Sequence, residues 1–186
     1  QNQSKLVTAP SQQTTQLTPS EDETDNWKTY KNTKDNFSFK YPQDWNLTED
    51  KTEINKFTLL SEVKSPDKQL NDYTKMPLYE VSVASKDNKE KLTLDQVVDQ
   101  SLEEPRSPGV ILEGRSQLTV DGKDAEKLVF VQDTGVENTY AIIINDDKIY
   151  LLSFTANFIT DGLSEQYEEE FKIIANKILA TFKFTE

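Results

Sequence analysis

The run Asn36-Phe-Ser-Phe-Lys-Tyr-Pro-Gln-Asp-Trp45 decides how the rest of the chain is read. Phe37, Phe39 and Tyr41 alternate with Ser38 and Lys40, the period-two pattern of a strand with one buried face. Pro42 lacks an amide donor and fixes φ, so the strand is expected to stop there and turn through Gln43 and Asp44. Trp45 follows directly and is large enough to pin that corner to a core.

Upstream, Trp27-Lys28-Thr29-Tyr30 reads as a short strand leading into this element. Residues 1–25 have a different character. Twelve of the first twenty are Gln, Ser or Thr, interrupted by Pro10 and Pro19, and Glu21-Asp22-Glu23 follow. Leu6, Val7 and Leu17 offer too little apolar surface to offset chain entropy, which predicts a disordered, polar spacer over 1–25 ahead of a domain over 26–186. A first residue that is Gln rather than Met is consistent with a signal or anchor segment upstream.

Downstream, a further strand is expected at Leu47, and another from Lys56 to Val63, through Phe57, Leu59, Leu60 and Val63, with an irregularity. Lys64–Met76, rich in charge and holding Pro66, reads as the longest loop. Leu78–Ala84 alternates again, with Tyr79, Val81 and Val83 on one face. Thr93 and Gln96 have capping-box spacing, and Leu92 and Val97 that of a hydrophobic staple, so a helix is expected there. Leu94, Val97, Val98 and Leu102 form its apolar face, and Pro105, Pro108 and Gly109 end it. Four strands then follow as a meander: Val110–Val120, Ala125–Val131, Thr139–Ile144 and Ile149–Thr155. Asp121-Gly122 is a two-residue hairpin signal, and Ile142-Ile143-Ile144 marks a strand covered on both faces. Leu163, Tyr167, Phe171, Ile174 and Ile178 form one stripe of a final helix over about 164–181, and Phe182 and Phe184 are expected to tuck against the sheet. Strands, helix, meander and helix make an α+β fold, with helices layered on an antiparallel sheet.

The 186-residue chain has neither Cys nor His, which removes disulfides, Ser-His-Asp triads, Cys-His dyads and the usual zinc sites. Lys and Arg number 21 against 33 Asp and Glu, a formal charge of -12, so a phosphate backbone is a poor partner. No apolar run approaches the length of a membrane-spanning helix.

The corner Phe37–Trp45, the aromatic strand before it, the Asp121-Gly122 hairpin within a meander and the closing Ile178-Leu-Ala-Thr-Phe-Lys-Phe184 together resemble the PsbP-like domains over residues 27–186. The resemblance implies an α-β-α sandwich with a central antiparallel sheet. It also implies an extracytoplasmic protein, often lipid-anchored in bacteria, that works by binding rather than catalysis. The same fold occurs in a Ran-binding nuclear transport protein. Photosynthetic members assist the oxygen-evolving side of photosystem II, where calcium, chloride and metal retention are discussed. No His-dependent metal site carries over to a chain without His, and a charge of -12 does not match a basic luminal subunit. The resemblance therefore points to a bacterial extracytoplasmic or lipoprotein type.

Local motifs add no catalytic or cofactor site. Gly114-Arg115-Ser116-Gln117-Leu118 resembles a nucleophile elbow but lacks its second Gly and lies in an expected strand. Asn145-Asp146-Asp147, and Asp121 with Asp124, offer oxygen ligands without the spacing of a calcium loop, and turns use these residues for their own geometry. Glu168-Glu169-Glu170 reads as a solvated helix face. Asn2-Gln3-Ser4 and Asn46-Leu47-Thr48 match the glycosylation pattern, which carries weight only in a eukaryotic secretory host. The sequence thus predicts no catalytic residue, cofactor site or metal site. It predicts a monomeric, non-enzymatic extracytoplasmic accessory module that docks on an envelope or membrane protein and does not itself insert in the membrane. The docking surface is expected at the sheet end near residues 64–77, on loop length. The alternatives are an intracellular adaptor on the same fold and a carboxylate-based hydrolase.

Overall fold

The computed structural model describes residues 15–16, 23–49, 51–54, 56–69, 75–133, 136–157 and 164–185. Its elements in chain order are β1 (Thr15–Gln16), β2 (Lys28–Asn32), β3 (Phe37–Tyr41), β4 (Asn46–Thr48), β5 (Glu53–Ile54), β6 (Phe57–Lys64), β7 (Asp67–Gln69), β8 (Lys75–Pro77) and β9 (Tyr79–Asp87). Helix α1 (Leu94–Glu103) precedes β10 (Val110–Val120), β11 (Lys123–Gln132), β12 (Val136–Asn145) and β13 (Lys148–Asn157), and α2 (Ser164–Thr181) and β14 (Lys183–Phe184) close the chain.

The aromatic corner forms as its sequence predicts. Phe37, Phe39 and Tyr41 are buried while Ser38 and Lys40 are half-buried. The amide of Trp45 donates to the Pro42 carbonyl at 3.1 Å, closing the turn. Trp45 is buried against Tyr79, which stacks in turn on Phe171 of α2. β3 does not join the main sheet, however. It sits between β2 and β14 in a separate three-stranded antiparallel sheet.

The main sheet runs β1-β10-β11-β12-β13-β9-β6-β4, with β5 also on β6. Its pairings are antiparallel except that of β1, which lies parallel to Leu118 and Thr119 of β10. The fold is thus the expected α+β sandwich, with one outer layer made jointly by α2 and the small sheet. Ile143, Tyr150, Leu152 and Phe154 face that layer and pack with its Phe37, Phe171, Ile178 and Phe182. Ile142, Ile149, Leu128 and Phe130 face the other way, toward Val97 and Val98 of α1. The triple isoleucine run reads correctly as a strand covered on both faces.

Three local expectations need revision or completion. The stretch read as a loop, Lys64–Met76, carries the two-stranded ribbon of β7 and β8, held where Lys68 lies over the Tyr167 ring at 4.0 Å. The irregularity in β6 is a register shift between Leu59 and Ser61. Most of the spacer expected over 1–25 lies outside the described residues. Within it, Thr15–Gln16 forms β1, and Thr24 is buried where its carbonyl accepts the Trp27 amide.

Candidate functional site

Helix α1 is built as its sequence predicts. The Thr93 hydroxyl accepts from the Gln96 amide and the Gln96 side chain accepts from the Thr93 amide, a complete capping box. At the far end Arg106 donates to the carbonyls of Ser101, Leu102 and Glu104 and stacks on Phe130, satisfying the helix terminus. The helix is anchored by Arg115 of β10. Its Nε donates to Glu126 at 2.5 Å and its guanidinium reaches Asp99 of α1 at 3.4 Å. Arg115 therefore holds a helix to a sheet, and the elbow-like run around it is a strand with a bulge between Leu112 and Gly114.

Because α1 packs on β11 and β12, a groove of about 440 Å³ opens beside it over β13, β9 and β6. Phe57, Leu59, Ala84, Ile142 and Leu151 make its apolar floor, and Ile54 stands half exposed at its rim. The volume falls within the roughly 300–1,000 Å³ of ordinary ligand sites. Lys56 and Lys86 line one end, and Lys86 lies 4.5 Å from the Phe57 ring. The same two lysines also line an adjoining cleft of about 520 Å³, with Lys51, Lys89 and Lys148.

Of the turn carboxylates considered as calcium ligands, Asp121 and Asp147 are engaged with other partners. Asp121 accepts from Lys183 Nζ and from the Phe184 amide, so it ties down the terminal strand. Asp147 pairs with Lys91, and Asp35 accepts from both Lys51 and Lys148. Among the described residues no three metal-ligating side chains converge. Glu168 and Glu169 face Lys172 on the surface of α2. A third cleft, between α2 and β10–β12, holds Glu113 and Glu137, but its 250 Å³ is below the range of ordinary ligand sites. Burial holds the Glu137 carboxyl above the usual carboxylate range, against the pull of Lys172.

Two surfaces escape a reading of the sequence. The groove is one, since nothing in the spacing of Leu59, Ala84 and Leu151 tells which half of a sheet a ten-residue helix covers. The other is the outer edge of β10. Among the described residues it is paired only at Leu118 and Thr119, while Ile111 is 63% and Leu112 43% exposed. The β7–β8 ribbon, near which a docking surface is expected, sets Lys68 over the Tyr167 ring of α2.

The family described as PsbP-like protein matches residues 4–184. Among solved structures, cyanobacterial PsbP (CyanoP) from Synechocystis sp. PCC 6803 is similar at 14% identity and a TM-score of 0.55, covering 86% of this chain and 92% of that one. The Saccharomyces cerevisiae Ran-binding protein Mog1p is similar at 11% identity and a TM-score of 0.53, covering 87% and 96%. A Bacteroides thetaiotaomicron protein is similar at 16% identity and a TM-score of 0.51, covering 87% of this chain and 49% of its own. No curated protein matches the sequence. At these identities the structures share the fold; the family match goes further, and the chain belongs to the PsbP-like proteins.

Proposed function

We propose that this PsbP-like protein is a non-enzymatic accessory module outside the cytoplasm, tethered through the residues ahead of β1, that docks on a protein complex of the membrane or envelope. The observation that carries the reading is the edge of β10. Among the described residues only β1, at Leu118 and Thr119, pairs on this edge; the rest is a template for a strand from another chain, and the exposed Ile111 and Leu112 add apolar contact to backbone pairing. Family membership supports a binding role, and the lack of His and Cys narrows the available catalytic chemistry. The intracellular alternative has its support in the likeness to Mog1p, which at 11% identity extends to the fold alone.

A photo-crosslinking residue at Ile111, with Ile173 on the exposed face of α2 as control, tests this in the source organism. Ile173 is 51% exposed, so neither substitution disturbs the core. The expected result is a covalent adduct with a membrane-extractable protein from position 111 and none from 173. Adducts from neither position, or equally from both, overturn it, as does recovery of the native protein in the cytosolic fraction.

A further inference from the structure

Lys56 and Lys86 belong to two concavities at once. On the α1 face of the sheet lies the groove, and on the opposite face, where Thr58, Leu60 and Ser85 point, the lysine-lined cleft, with the two lysines at the sheet end between them. The cleft sets five lysines against three carboxylates, Asp35, Glu53 and Asp87, in a chain whose net charge is -12. Lys51 and Lys148 already share Asp35, and Glu53 accepts the Thr58 hydroxyl at 2.6 Å. Lys56 and Lys86 stand where the apolar floor ends. A cationic end on an apolar groove complements an occupant with the opposite arrangement, an apolar body and an anionic head.

The groove walls also say what kind of body fits. Its floor is the face of a sheet, whose amides and carbonyls are engaged in the ladders between β6, β9 and β13. The last carbonyls of α1 accept from Arg106. A peptide laid here would meet the side chains of Ser82, Gln100, Glu104 and Ser153 but no free strand edge on the floor, so its backbone groups would be only partly paired, which is costly. An alkyl chain has no such groups, and its burial against Phe57, Leu59 and Leu151 is favourable in proportion to its length.

We propose that the groove forms a site for a single-chain anionic amphiphile, its acyl chain lying beside α1 and its head group meeting Lys56 and Lys86. The site is separate from the β10 edge, so the two proposals stand or fall independently.

Sodium dodecanoate, held below its micellar concentration, is the probe, titrated into the ¹⁵N-labelled full chain. Dodecyltrimethylammonium and acetate serve as controls for head-group charge and for the head alone. The expected result is saturable shifts at Phe57, Leu59, Ala84 and Leu151 with dodecanoate only. Reversing both lysines (K56E with K86E) weakens binding about tenfold, as loss and inversion of two exposed charge contacts implies. A84L fills the floor without altering charge and also blocks binding, while an unchanged spectrum at Phe37 and Phe182 certifies either fold. Equal binding of the cationic amphiphile, equal shifts with acetate, or no shifts in the groove overturns the proposal. Displacement of dodecanoate by an acidic amphipathic peptide of comparable affinity also overturns it, in favour of a protein occupant.

Discussion

At Asp121-Gly122 two residues carry more structure than their length suggests. Both have positive φ, 49° and 73°, as a type I′ hairpin between β10 and β11 requires. A Cβ added at Gly122 would meet nothing within 4 Å, so the cost of Gly122→Ala is conformational alone. It should be about 1 kcal/mol, read as a lower urea midpoint with an unchanged m-value. The dipeptide itself is legible in the sequence. The second task of Asp121, catching the Phe184 amide at 2.9 Å, is not, because its partner lies 63 residues away and no local pattern marks it. The same holds for Arg115, whose neighbours in sequence resemble a motif while its side chain bridges Asp99 and Glu126.

Among the elements, α1 has the clearest local specification and offers a direct test. Thr93→Ala removes the acceptor for the Gln96 amide and should cost about 1 kcal/mol, with amide exchange accelerated first over Leu94–Val98. Strand β12 offers a test through pH. Glu137 is buried, and its folded-state pKa is raised mainly by that burial, so its ionisation opposes folding. The fold binds this proton more tightly than the unfolded chain, and stability contributed by the group falls as pH rises from its ordinary value through its folded one. Glu137→Gln should therefore stabilise the protein at pH 7 and lose that advantage at about pH 4, measured as urea midpoints at both. Helices and meander were readable because each buries a periodic apolar face. The β7–β8 ribbon was not, since Asp67, Lys68 and Lys75 are as polar as any loop and its anchor is a tyrosine ring on α2. The groove was equally hidden, because it is defined by where α1 stops covering the sheet.

For the whole molecule, the large core depends on the last residues. Phe182 is fully buried and stacks on Phe37 at 5.5 Å and Phe39 at 6.4 Å, while Phe184 packs edge-on against Tyr150. Phe182→Ala should cost about 3–5 kcal/mol, a large part of the roughly 5–15 kcal/mol that stabilises a typical domain. A chain ending at Thr181 loses both aromatics and β14, and should show no cooperative thermal transition by near-ultraviolet circular dichroism. The layered class, the burial of Phe182 and the packing of Phe184 against the core follow from sequence pattern. That β3 would leave the main sheet for a small one of its own does not, since its alternation is the same in either place.

The pairing of Phe37 with Phe184 has a consequence in time. A ribosome delivers Phe37 and Phe39 long before it releases Phe182 and Phe184, and domains made in this way wait for whatever completes them. Until Phe182 and Phe184 emerge, Phe37 and Phe39 lack the ring that stacks on both of them and β3 has a neighbour on one side only. A nascent chain of this protein stays open until that late strand, β14, arrives, and then closes it upon the early one, β3.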